Sequence, residues 1–323
     1  MCLTTVAFYN VENLFDPLDA AHTLDKDFTP KGKKKWVPYR YNIKITKLGN
    51  AISKIGQTET QTLPALVGLA EVENKTVLHD LCSSEALKEA QYKYIHFDSP
   101  DDRGIDVALL YDPAHFKPLQ EKAIPIPQNT PKATPQNKSE NRCENTRDVL
   151  YVAGLLDGEK IHMYVNHWPS KRNGQEVAKR KKIQIAQTIQ KDIDTLQEVQ
   201  PKVIVLGDFN DNPTDESIQN HLAIGGLKNT MLPLFHAGEG ASKFYGQWML
   251  FDQILLSESF FSSQQNGLKF HESKIFNPSF LTNPRGRHKG EPFRTYTGRY
   301  YQGGCSDHFP VYTLLKNKET PSV

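Results

Sequence analysis

Apolar residues fall along this chain in two kinds of spacing. Short runs rich in Val, Ile and Leu, bounded by Gly, Pro, Asn or Asp, predict strands over 4–10, 65–72, 92–97, 106–111, 150–156, 162–168, 202–209, 251–257 and 310–315. Three stretches repeat every three or four residues and predict amphipathic helices. Tyr41, Ile45, Leu48, Ile52 and Ile55 form one stripe, and Val77, Leu78 and Leu81 begin a weaker one. Ile185, Ile189, Ile193 and Leu196 mark a third within 175–197. Two stretches lack either spacing: 16–38, polar with three prolines, and 125–147, rich in Pro, Asn, Thr and Lys. Both read as irregular loops, the second as a mobile surface loop. With no repeat and no linker, the chain reads as one domain over 1–323. Many strands and few helices predict an α/β (α+β) four-layer sandwich, two stacked mixed β-sheets flanked by helices.

Composition narrows the class. With 38% hydrophobic and 24% charged residues among 323, a sizeable core under a solvated surface is expected. A net charge of +2 is too near neutral to mark a dedicated nucleic-acid binder. Basic clusters at 31–35, 171–182 and 285–294 each read first as solvated faces. The four cysteines, Cys2, Cys82, Cys143 and Cys305, are far apart and give neither a zinc spacing nor a disulfide framework. No apolar run is long enough to cross a membrane, and strand-like sequence begins at Leu3. These features point to a cytoplasmic monomer, although a secreted form with its leader removed would read the same.

Chemistry-bearing residues gather where the predicted strands end. The run from Val203 opens into Asp208-Phe209-Asn210, a carboxylate and a carboxamide two apart and so on one face of a strand. Alone, this is an ordinary Asx-turn. The pattern recurs at Asn10-Val11-Glu12, Glu71-Val72-Glu73, Asn166-His167 and Asp307-His308. Such groups are costly to bury unpaired, so core packing explains one instance but not five. Acid and amide oxygens suit a hard cation, Mg²⁺, Mn²⁺ or Ca²⁺, rather than zinc. Ser306 neighbours Asp307 and His308, but strand neighbours point apart, which argues against a nucleophilic triad. Cation, carboxylate base and cationic imidazole together fit attack of an activated water on a phosphate ester.

The motifs Tyr9-Asn10-Val11-Glu12-Asn13-Leu14, Gly68-Leu69-Ala70-Glu71, Val165-Asn166-His167-Trp168, Gly207-Asp208-Phe209-Asn210, Phe251-Asp252-Gln253-Ile254 and Cys305-Ser306-Asp307-His308 span 9–311. In that order they resemble the endonuclease/exonuclease/phosphatase superfamily. It includes deoxyribonucleases, apurinic-site endonucleases, inositol-polyphosphate phosphatases and bacterial sphingomyelinases. The resemblance implies a two-sheet sandwich and a role for each position. Glu71 is the principal metal ligand, Glu12 and Asp307 are further ligands or outer partners, and Asn10 supports the metal. Asp208 orients or deprotonates the water, with Asn210 holding the phosphate. His308 contacts a nonbridging oxygen and Asp252 keeps it cationic, while His167 matches an imidazole that some members use to protonate the leaving oxygen. Ala70 stands where many members carry Gln, and Glu12 where repair endonucleases carry Asp. Glu73 shares the strand parity of Glu71, and motif register favours Glu71. Arg103, in Arg103-Gly104-Ile105-Asp106, is a candidate phosphate contact.

Substrate choice is less sharply marked. Asn166 at the strand end, and Lys171 and Arg172 just after His167, are expected near the site entrance. Trp36 beside Lys31–Lys35, and Tyr296, Tyr300 and Tyr301 beside Arg294 and Arg299, offer rings that could stack on bases, or that simply pack while the lysines face solvent. The expectation is a phosphodiester hydrolase acting on nucleic acid or nucleotides, a nuclease. The alternatives are a phosphatase or phospholipid phosphodiesterase on the same scaffold, or a binding module without catalysis.

Overall fold

Strict alternation at both faces of the apolar runs settles how the layers stack. The computed structural model describes residues 2–18, 24–127, 146–170, 174–262 and 267–317. Its strands, in chain order, are β1 (Cys2–Leu14), β2 (Leu66–Val72), β3 (Lys93–His96), β4 (Asp106–Tyr111), β5 (Phe116–Ile124), β6 (Val149–Leu156), β7 (Glu159–His167) and β8 (Val203–Asp208). There follow β9 (Leu227–Asn229), β10 (Ser242–Phe244), β11 (Gln247–Met249), β12 (Asp252–Ser257), β13 (Lys269–Ile275), β14 (Tyr296–Thr297), β15 (Tyr300–Tyr301) and β16 (Val311–Asn317). One six-stranded sheet runs β13-β16-β1-β2-β4-β3, the other β5-β6-β7-β8-β12-β9. Both are mixed: β1 and β2 run parallel in the first, β7 and β8 in the second, and the other pairs are antiparallel. The expected two-sheet sandwich is therefore the observed one.

In β8, Ile204 and Leu206 join the large core shared by the two sheets, whereas Val203 and Val205 belong to a second core under a helix. β7 repeats this, with Met163 and Val165 inward and Tyr164 outward. The sheets approach closely at Gly68, where an added Cβ would run into Leu206, Phe8 and Val165. Helices α1 (Pro38–Ile52) and α3 (Lys75–Cys82) cover the first sheet through Ile45, Leu48, Val77 and Leu81. Between them lies the single turn α2 (Gln57–Thr60). Helix α4 (Gln175–Ile193) covers the second sheet through Ile185, Ala186 and Ile189, and α5 (Leu232–His236) is one short turn. No described helix is long and apolar enough to cross a membrane.

The predicted strands and helices all form, within a few residues of the expected ends. Besides the strands of two or three residues, the sequence reading missed β5 and β13, each a polar edge of its sheet. Polar residues on an edge strand lose the alternation that marks an inner one. The described part of the stretch 16–38 is better built than expected. It carries a short 3-10 turn, Lys26–Phe28, and the fully buried Trp36, whose Nε1 donates to the Phe15 carbonyl at 2.9 Å. Trp36 also meets the buried Tyr296, with ring centroids 5.9 Å apart. Both rings are packing residues and are not available to a base; Tyr300 remains exposed. Most of the loop at 125–147 lies outside the described residues.

Candidate active site

Strand parity places most of the site. Asn10 follows Val6 and Phe8, His167 follows Met163 and Val165, Asp208 follows Ile204 and Leu206, and Asp252 precedes Ile254 and Leu256. Each polar residue thus continues a row facing the other sheet, at the end where the apolar filling stops. Asn10 Nδ2 donates to Asp208 Oδ2 at 2.9 Å across the two sheets, and the Asn210 amide donates to Asp208 Oδ1 at 2.9 Å.

Glu71 needs a different device, because its parity with Leu69 points it away from Gly68 and the facing sheet. The pairing register shifts between Ala70 and Val72, and Glu71 itself sits at φ 66°. This bulge re-aims the carboxylate, so that Oε2 accepts from the Asn13 amide at 2.8 Å. Glu73, beyond the bulge, turns to the Asp16 amide at 2.6 Å, and burial pushes its carboxyl up to about 8. The shared parity expected for the two glutamates is thus broken. Glu12, Asn13 and Asn210 also hold positive φ, at 50°, 52° and 50°. Four strained, non-glycine residues at one site store energy that the surrounding structure must hold in place.

The groups converge without touching. His167 Nε2 lies 3.8 Å from Glu71 Oε1 and 3.8 Å from Asp208 Oδ2, and His308 Nε2 lies 4.0 Å from that same Asp208 oxygen. These separations are too long for hydrogen bonds and leave a small polar gap among four side chains. Behind it, His308 Nδ1 meets Asp252 Oδ2 at 2.6 Å. Burial opposes charge on His308, but Asp252, then Asp208 and Asp307, hold its basicity well above the usual value. Burial pushes Asp252 up to about 6, against the pull of His308. His167 goes the other way: burial, then Arg147 and Arg103, hold it well below the usual value, so it is neutral at pH 7.

Glu12 and Asp307 form the flank. Glu12 Oε2 accepts from the Thr295 amide at 2.6 Å, and Asp307 lies 3.5 Å from Arg294. Burial and then Asp307 push the Glu12 carboxyl up to about 7, although Lys44 pulls it down. Such crowded carboxylate charge is what a divalent cation relieves, and all the donors are hard oxygens. Glu71, Glu12 and Asp307 carry oxygens of that kind. Asn10 supports them, since its Oδ1 accepts from the Glu12 amide at 3.0 Å. Asp208, Asp252 and His308 also bring ligand atoms within 4.8 Å of one another. That trio is better read as an ion-paired imidazolium, because a protonated ring has no lone pair for a metal.

Two expectations about substrate contacts change. Asn166 is fully buried on the outward face with Tyr164, and its Nδ2 donates to the Tyr164 and Leu206 carbonyls at 3.2 and 3.3 Å. It cannot reach a substrate, because adjacent strand residues point to opposite faces. Asn210 Nδ2 is spent on the Trp168 carbonyl at 2.9 Å. Arg103 does reach the site, partly exposed and 3.8 Å from Glu71. Lys171 and Arg172 lie outside the described residues.

Sequence reasoning missed three buried cations around the site. Arg147 pairs with Asp101 at 3.1 Å and donates to the His167 carbonyl at 3.5 Å, with its Nε buried and without a hydrogen-bond partner. Lys44 bonds the Glu12 carbonyl and lies 2.9 Å from Thr295 Oγ1. Lys182 donates to the Asn210 carbonyl and to Asp211, both at 2.6 Å. The two lysines were findable: Lys44 sits in register with Tyr41 and Leu48, and Lys182 with Ala178 and Ile185, so each interrupts an apolar stripe. A cation inside such a stripe signals a buried partner. Arg147 closes an irregular loop and carries no such mark.

Residues 5–317 match the Endonuclease/Exonuclease/phosphatase family. No curated protein sequence is significantly similar to the chain. Among solved structures, TDP2 of D. rerio complexed with a single-strand DNA product aligns with a TM-score of 0.58 at 14% identity, over 98% of this chain and 99% of that one. A mannosyl-6-phosphatase of Bacteroides thetaiotaomicron VPI-5482 gives 0.57 at 17%, over 97% and 99%. The human nocturnin catalytic domain with bound sulfate gives 0.56 at 14%, over 97% and 94%. At these identities the likeness is one of fold.

Proposed function

The chain belongs to the endonuclease/exonuclease/phosphatase family, and from that premise we propose that it is a divalent-metal-dependent phosphodiester hydrolase, a nuclease, acting as a single domain. The observation that carries the reading is the convergence of Glu71, His167, Asp208 and His308 on one gap, at 3.8–4.0 Å. A bound cation, Mg²⁺ or Mn²⁺, would supply charge to polarise the phosphoryl group. Glu71 would be its principal ligand, with Glu12 and Asp307 as further ligands or outer partners.

Asp208 is fixed by two hydrogen bonds and left with a free edge toward the gap, as a base that receives the proton of the attacking water requires. His308, kept cationic by Asp252, donates to a nonbridging oxygen, where charge grows in the transition state. His167 is neutral, so it serves as a hydrogen-bond donor to the phosphate or leaving oxygen rather than as a cationic acid. Arg103 contacts the phosphate, and Asn210 braces Asp208 through its backbone amide, its side chain being occupied. The water oxygen bonds to phosphorus as the P–O ester bond breaks; the water gives one proton to Asp208, the leaving oxygen takes one from solvent, and Asp208 returns its own to solvent.

The nucleic-acid reading is supported by the partly exposed Arg103 and Arg294, beside Glu71 and Asp307, and by the solved relative that holds single-strand DNA. A phosphatase is the second reading, supported by the mannosyl-6-phosphatase of the same fold. Incubation of the purified chain with Mg²⁺ or Mn²⁺ and end-labelled DNA and RNA should give cleavage, abolished in Asp208→Asn. In Glu71→Gln the metal concentration for half-maximal rate should rise at least ten-fold. Release of inorganic phosphate without chain cleavage would instead favour the phosphatase, and unchanged metal dependence would remove Glu71 as ligand.

A further inference from the structure

Strands β10 and β11 form a hairpin joined at its base to the His308 segment. Its register pairs Ser242 with Met249 and Phe244 with Gln247, which leaves Tyr245 and Gly246 as a two-residue loop. Both have positive φ, 47° and 82°, as a type I′ turn requires. A tyrosine is an expensive choice there, because side chains with a Cβ resist that conformation. The base of the hairpin is fixed to the catalytic segment. Ser242 makes an antiparallel bridge with His308, the Phe309 amide donates to the Ala241 carbonyl at 2.7 Å, and Trp248 stacks on Phe309 with centroids 6.1 Å apart. The tip, by contrast, is bare. Tyr245 is 93% and Phe244 58% exposed, and the two rings hold each other edge to face at 4.5 Å.

A rigid pair of solvent-facing rings, mounted on the backbone of His308, is built to meet something. Charge nearby says what. Lys243 pairs with Glu291 at 3.3 Å, and this ties the hairpin to the loop at 283–291. That loop exposes Arg285, Arg287 and Lys289. Rings for bases and guanidinium or ammonium groups for phosphates, on two segments joined by that ion pair, are the two components of a single-strand nucleic-acid platform. Two residues of strand, about 7 Å, separate Phe244 from the backbone bridge to His308.

Resting on the nuclease reading above, we propose that Phe244 and Tyr245 form a stacking platform for a base flanking the scissile phosphate of a single-stranded nucleic acid, with the 285–289 loop tracking its backbone. The test measures binding first, so that it stands apart from turnover. Fluorescence anisotropy of a labelled single-stranded oligonucleotide, with Ca²⁺ present, should show Kd rising roughly ten-fold or more in Phe244→Ala/Tyr245→Ser. Tyr245→Trp should restore tight binding. Kinetics should then show the loss in KM for oligonucleotides rather than in kcat. An unchanged Kd in the double variant, or a variant that fell in kcat alone, would overturn the platform. So would wild-type chain that sediments with phosphatidylserine vesicles through these rings while ignoring oligonucleotide, since the occupant would then be a lipid surface. If the platform binds DNA but no diester is cleaved, the catalytic reading fails and this one survives.

Discussion

Replacing Asp252 by Asn separates charge from shape at the centre of the site. Asp252 is fully buried, with Oδ2 2.6 Å from His308 Nδ1 and Oδ1 without a partner. An amide of nearly the same volume keeps one contact and removes one charge. Two unit charges about 4 Å apart attract by about 4 kcal/mol at the effective dielectric constant of about 20 that suits such pairs. Loss of that attraction shifts the balance from imidazolium to imidazole by up to about a thousand-fold. Asp208 remains 4.0 Å away and retains a part of the effect. We therefore expect kcat on bis(4-nitrophenyl) phosphate at pH 7.5 to fall by about 10²–10³, with folding little changed. The sign of the pH effect is fixed: a less basic His308 loses its proton sooner, so the alkaline limb of the rate profile moves to lower pH. NMR titration of the His308 ring in metal-free chain reads the same change without turnover. If both the ring titration and the alkaline limb stayed where they are in wild type, charge pairing with Asp252 would not be what tunes His308, and its role would reduce to orientation.

Other perturbations probe the supports. Lys182→Met leaves the buried carboxylate of Asp211 with Ser217 but without its cation and frees the Asn210 carbonyl; it should cost about 3 kcal/mol, read as a lower urea midpoint with unchanged slope. Gly68→Ala drives a methyl into Leu206 and Val165 of the facing sheet and should destabilise by about 1–3 kcal/mol, whereas a neutral result would show that the sheets can part there. His115 Nδ1 lies 2.7 Å from Asp157 Oδ1, and that bond, against burial, raises its basicity above the ordinary 6.5. Asp157, despite burial, is held below its ordinary 3.8 by His115 and Thr4. The stability this pair adds is thus complete below pH 6.5 on the histidine side and lost as pH rises through the raised value; on the aspartate side it is lost only as pH falls below about 3.8. The melting temperature of His115→Gln should therefore fall less steeply than wild type above pH 6.5, and parallel curves would exclude the pair as the cause.

What the sequence determined by itself was periodicity and chemistry. Short apolar runs located β1, β2, β7, β8 and β16, and polar residues at the ends of those runs marked Asn10, Glu71, His167, Asp208 and His308 as one constellation. Parity was legible too, and it would have withdrawn Asn166, since its neighbours Val165 and His167 face the site. Other features depend on groups far apart in the chain. The bulge at Glu71 reverses the parity of a single residue, and no local signal announces a register shift set by the partner strand. Neutral His167 and cationic His308 are the same residue type; burial beside Arg147 and Arg103 decides one, and contact with Asp252 the other. Trp36 read either as a ring for a base or as a packing residue, and its burial against Tyr296, some 260 residues away, decided for packing. The aromatic hairpin lay unnoticed because three-residue strands carry almost no period, and only its bridge to His308 gives it a place at the site. Local spacing fixes which face a side chain takes, whereas its charge, its solvent exposure and its partners are set by whatever the rest of the chain brings against it.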